Sequence, residues 1–166
     1  MRRPSLHHPR AFLIAALMCL VVAMAPAPVA GQAGSDIAVV VNSSVPVDNL
    51  SLAELRRILL GDKEFWAPGM RVTLLIRAPI ARERDVIIQH VCEMTEAQFR
   101  QHWIAKVFRA ETPTGPKIVY SNESALEQLT RTQGAITFID ASLAKGGMKV
   151  LKIDGKAPGQ AGYRIK

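Results

Sequence analysis

Arg77, Arg82 and Arg84 crowd one short stretch of the chain. A guanidinium is a planar fork that can donate two parallel N–H groups to two oxygens, so arginines this close together suit an oxyanion. Val86, Ile87, Ile88, Val91 and Cys92 recur at helical spacing, which predicts a helix from about Ala81 to Cys92 and puts the arginines in the loop and first turn that open it. The free backbone N–H groups and the dipole of such a helix start favour an anion too. Glu83 and Asp85 sit among the arginines and cancel part of their charge, so a solvated basic turn is the competing reading.

Other reactive side chains lack the company that chemistry needs. Cys92 has His90 two positions away, but on a helix the two point to different faces, and Cys92 continues the apolar stripe as a packing residue. His90 and His102 read as helix-surface residues with no metal-ligand spacing around them. Glu93, Glu96 and Glu111 fall where solvated helix ends carry acids, and no nucleophile elbow, phosphate-cradling glycine loop or dinucleotide fingerprint occurs. Trp66 and Trp103 occupy positions at which aromatics pack. The expectation is a binding protein with no catalysis, no cofactor and no metal.

The elements that hold these residues alternate. Ile37 to Val41 is a β-branched apolar run, predicting a buried strand. Ser51 and Glu54 form a capping box, Leu50 and Leu55 a hydrophobic staple, Leu52, Leu55, Ile58 and Leu59 an apolar face, and Gly61 a stop: a helix. Pro68-Gly69 is a turn, and Val72, Leu74 and Ile76 alternate as a strand ending near Arg77. Thr95 with Gln98 caps a third helix whose buried stripe is read as Phe99, Trp103 and Val107, with Met94 and Phe99 as staple. Ile118 to Tyr120 is a strand, Ser121 or Asn122 caps a helix with Leu126 and Leu129 inward, Gly134 stops it, and Ala135 to Ile139 and Lys149 to Ile153 are further strands. This alternation predicts an α/β fold with a mostly parallel sheet flanked by helices.

The first 31 residues read as a signal peptide: Arg2, Arg3 and Arg10, then an apolar run from Ala11 to Ala25, then small residues with cleavage placed between 30 and 33. That run is shorter than the roughly 20 residues a membrane-spanning helix needs. Residues 35–166 are read as a single domain. Without the leader and its three arginines the formal charge falls from +7 to +4, 18 basic groups against 14 acidic. The basic residues are scattered, so nucleic acid is not an expected partner. Cys19 leaves with the leader and Cys92 stays alone, so no intramolecular disulfide can form.

From Ile37 to about Tyr163 the chain resembles the periplasmic phosphate-binding proteins of ABC transporters, and in particular the second lobe of that two-lobed class. The landmarks are Ser51 to Gly61 followed by Trp66-Ala-Pro-Gly69, the strand ending in Arg77, Gly134-Ala-Ile-Thr-Phe138, and Lys152-Ile-Asp-Gly155 with Pro158 and Tyr163, all in the family's order. The resemblance implies an oxyanion held at helix N-termini by N–H groups, hydroxyls and an arginine, here Arg77. Two departures accompany it. The family's first lobe has no counterpart here, and its Ser-Gly-Thr type of segment is replaced by Ala78-Pro-Ile-Ala-Arg82, so Arg82 and Arg84 would replace the lost donors.

The expectation is therefore an exported, periplasmic, single-lobe binder of phosphate or another small anion, with a membrane transporter or other periplasmic protein as partner. A homodimer that rebuilds a cleft is a further expectation. The alternative is an interaction module that keeps the lobe as a docking scaffold and binds no phosphate.

Overall fold

The computed structural model describes residues 35–166; the stretch read as a signal peptide, and the cleavage expected between 30 and 33, lie outside them. Strand β1 (Ile37–Val41) is buried along its whole length, which is why its sequence is an unbroken apolar run. After the two-residue strand β2 (Asn49–Leu50), helix α1 (Leu52–Leu59) starts on the expected capping box, Ser51 and Glu54 each satisfying the other's backbone N–H. Gly61, at φ +71°, follows its C-cap, where a left-handed backbone favours glycine.

A small hairpin, β3 (Phe65–Ala67) and β4 (Met70–Arg71), turns at Pro68-Gly69 and leads into β5 (Thr73–Arg77). Helix α2 (Arg82–Val86) continues without a break into a π-helical turn over Ile87–Val91, a widening that the apolar spacing does not reveal. Helix α3 (Glu96–Phe108) has the Thr95–Gln98 capping box, but its inward stripe differs from expectation. Phe99 is buried and Trp103 partly so, whereas Val107 is 41% exposed and Lys106 is buried instead, its ammonium held by Asp62. The chain then runs through β6 (Lys117–Val119), α4 (Asn122–Arg131), capped by Ser121, and β7 (Ala135–Asp140). The expected last strand is two short ones, β8 (Lys149–Val150) and β9 (Lys152–Ile153), which pair in different sheets.

The main sheet has the order β6-β5-β7-β1-β8. β5 pairs parallel with both β6 and β7, while β1 runs antiparallel to β7 and β8, so the sheet is mixed and mostly parallel. Alternate residues of β1 feed two cores. Ile37, Val39 and Val41 pack with α1, α2, its π-helical turn and Phe99 on one face. Ala38 and Val40 pack with Leu75, Val119 and Ala125 and Leu129 of α4 on the other. The described residues, 35–166, belong to one compact unit, and both cores are built from its own side chains.

Candidate functional site

Because β5, β6 and β7 are parallel, their carboxyl ends share one edge, the edge at which open α/β sheets bind ligands. Arg77 ends β5 there, Tyr120 and Ser121 lead from β6 into α4, and Asp140 ends β7 before a short 3-10 turn. The sequence separates Arg77 from Asn122 by 45 residues, and the parallel pairing of β5 with β6 brings them into contact: an Arg77 Nη1–H donates to Asn122 Oδ1 at 2.5 Å. Arg77 is half-buried, and its buried Nε–H has no acceptor among the described residues.

Glu123, next in the chain, turns its carboxylate onto the start of α4. Its own backbone N–H, the Ser121 hydroxyl and the Arg77 charge together hold its carboxyl below the usual range. A negative group of the chain thus already sits where helix start and arginine favour an anion. Asn122 and Glu123 were not expected as site residues; the only signal in the sequence was the capping position they flank.

The three arginines do not act as one cluster. Arg84 is buried and gives its fork to Glu96, Nε–H to Oε2 at 2.8 Å and Nη2–H to Oε1 at 2.7 Å, with its guanidinium over the Phe99 ring. Its remaining nitrogen donates to the Arg77 carbonyl at 2.9 Å, fixing the end of β5. The expectation that Arg84 offers donors to an anion is corrected: Glu96 occupies them, and it holds them at a position read as a solvated helix end. Arg82 donates to the Ser35 carbonyl at 2.6 Å and pairs with Asp140 at 3.5 Å, leaving its side chain partly exposed. Neither Glu83 nor Asp85 is its partner or that of Arg77.

Ala81 precedes α2 with no side-chain cap, and Ile80 beside it is 94% exposed at φ +78°, a left-handed conformation that strains a β-branched residue. The loop that departs from the family pattern is therefore also the one that lacks a capping hydroxyl. Cys92 is fully buried and its thiol is pushed up to about 12 by burial, so it packs rather than reacts. His90 is exposed, and His102 Nε2 lies 2.9 Å from the Leu60 carbonyl. Trp66 is a core residue whose indole N–H donates to the Gly134 carbonyl. Among the described residues no group of three or more His, Cys, Asp or Glu could hold a metal, and no helix is long and apolar enough to cross a membrane.

No family model matches the sequence, and no curated protein is similar enough to match it. Solved structures do resemble the fold. PstS from Borrelia burgdorferi matches with a TM-score of 0.63 at 17% identity, over 79% of this chain and 54% of its own. An ABC-type phosphate transport receptor from Vibrio cholerae matches with 0.62 at 17% identity, over 79% and 53%. A phosphate-binding protein from Stenotrophomonas maltophilia matches with 0.55 at 10% identity, over 75% and 40%. The chain spans about half the length of these proteins, and its fold is that of a single lobe of phosphate transport substrate-binding proteins.

Proposed function

We propose that the chain is exported by residues 1–31, cut between 30 and 33, and works in the periplasm as a non-catalytic binding lobe that holds phosphate or a similar small oxyanion through Arg77. The carrying observation is the Arg77 guanidinium at the shared carboxyl edge of β5, β6 and β7, beside the start of α4, with a buried Nε–H that finds no acceptor among the described residues. Arg82 is the second donor, reachable once an anion competes with Asp140 for it. Arg84 supports the site by anchoring the Arg77 carbonyl. The likeness to lobes of phosphate transport proteins supports the ligand class.

A single open lobe leaves the anion hydrated on one side, so binding by this lobe alone is weak, in the range of about 1 mM. Closure by a membrane transporter, another periplasmic protein or a second copy would tighten it. Isothermal titration of residues 34–166 with phosphate and with sulfate should show saturable heat that Arg77→Ala abolishes. Silence of the unaltered protein up to about ten times that concentration would refute the reading.

A second reading, a docking scaffold that binds no phosphate, is favoured by one observation. Ile104, Val107, Phe108 and Ile118 are exposed and line two hollows that share Trp103 and Ile104.

A further inference from the structure

Asn122 is the first residue of α4, and Arg77 is the last of β5. A guanidinium carries donors and no acceptor, so an amide that meets it can present only its oxygen. The contact therefore fixes which way round the Asn122 amide stands: Oδ1 accepts from the Arg77 Nη1–H, and Nδ2 is turned away from the guanidinium. Asn122 is partly exposed, and its Nδ2 makes no hydrogen bond to any described residue and remains open to solvent.

Arg77 itself has fewer free donors than its charge suggests. Its Nε–H is buried, and its Nη1 is committed to Asn122. What it brings to the edge is charge, held in place because Arg84 grips the Arg77 carbonyl. A cation on the acceptor side of an amide draws electron density toward the oxygen, and the N–H groups on the other side become stronger donors.

The neighbouring donors at the start of α4 are occupied. The Ser124 N–H donates to the Ser121 hydroxyl, the Ala125 N–H to the Ser121 carbonyl, and the Glu123 N–H to its own carboxylate. The backbone N–H of Asn122 has no acceptor among the described residues. One residue thus carries the unoccupied neutral donors of this helix start, where the dipole already favours an anion.

We propose that Asn122 is a ligand-binding residue of the oxyanion site, donating through Nδ2 to an oxygen of the anion while Arg77 orients and polarises its amide. The inference rests on the oxyanion reading of the Arg77 edge. It gives the neutral donors that the 78–82 loop lacks a source on α4. An amide N–H donates to any unprotonated oxygen, so phosphate and sulfate should engage Asn122 alike.

The test follows the Asn122 side-chain amide by proton–nitrogen NMR of residues 34–166, with its two signals assigned by their loss in Asn122→Ala. Titration with phosphate, and separately with sulfate, to about 10 mM should move at least one of them downfield along the same curve as the heat of binding. Chloride at equal ionic strength should leave both in place. Asn122→Ala, its fold checked by circular dichroism, should bind roughly tenfold more weakly. Saturable heat with amide signals that do not move would overturn the proposal and leave the oxyanion reading standing. Undiminished or tighter binding by Asn122→Ala would overturn it too, since Arg77 Nη1, freed of its partner, would then take the ion directly. No saturable heat from the unaltered protein would overturn both.

Discussion

Glu123 competes for the same charge that an incoming oxyanion would use. Its carboxylate is exposed, tied only to its own N–H and the Ser121 hydroxyl, and within range of Arg77. Replacing it with glutamine keeps the shape and removes the repulsion, so Glu123→Gln should bind phosphate and sulfate roughly two- to fivefold more tightly in the same titration. Weaker binding would mean that the carboxylate positions Arg77 rather than opposing the ligand. Arg84 predicts the opposite kind of effect. Removing it strands Glu96 and uncovers the Phe99 ring. Arg84→Ala should cost roughly 2–3 kcal/mol in chemical denaturation, below the full cost of breaking a buried pair because Glu96 keeps contact with water. Arg84→Lys should recover only part of that, since an ammonium cannot make the two-pronged contact. Arg77 and Arg84 sit within one basic stretch of the sequence, yet their roles diverge because the partners that decide them are distant: Asn122 for Arg77, Glu96 for Arg84.

At the scale of elements, what was legible in the sequence was whatever local physics decides. The boundaries of α1 and the start of α3 follow from capping boxes that close within four residues. The burial of β1 follows from its composition. The antiparallel direction of β1 could not be read, because an apolar run carries no sense of direction, and Leu151 separates β8 from β9 with no break in the apolar pattern. Val107 was expected inside because it continues the spacing of Phe99 and Trp103, but it lies with Ile104 and Phe108 on a side of α3 that no described residue covers. Gly134 shows how a single residue can join elements. At φ +70° its carbonyl accepts from Thr73 and from the Trp66 indole, and a Cβ there would lie 2.2 Å from the Arg71 carbonyl oxygen. Gly134→Ala should therefore cost roughly 3 kcal/mol or more in a denaturant titration, while Gly69→Ala, at φ +78° with open space around it, should cost only about 1 kcal/mol. Equal costs would show that backbone conformation alone, and not the contact with Arg71, sets the requirement.

For the domain as a whole, the ionisable groups set a pH window. The carboxyls of Glu54, Glu96 and Asp140 are held below their ordinary values, by the Ser51 backbone N–H and hydroxyl, the Arg84 fork, and the Ser142 and Ser35 hydroxyls respectively. A lowered folded value means that the unfolded chain takes up protons first as the pH falls. Their contribution is complete above about 4.5 and is lost progressively below it. The alkaline side has the reverse origin. Burial raises the Cys92 thiol from 9.0 to about 12 and raises the Tyr163 phenol, whose hydroxyl donates to the Ile37 carbonyl inside the core. Above pH 9 the unfolded chain therefore releases protons that the folded domain retains, and stability falls as pH rises. Guanidinium chloride midpoints of residues 34–166 should form a plateau between about pH 5 and 8.5, with a decline on each side. Cys92→Ala should lower the whole curve by leaving a cavity, and it should also flatten the first part of the alkaline decline, where the thiol titrates ahead of the phenol in the unfolded chain. An alkaline limb unchanged in that variant would assign the loss to Tyr163, and with it to the tie between the carboxyl-terminal segment and β1.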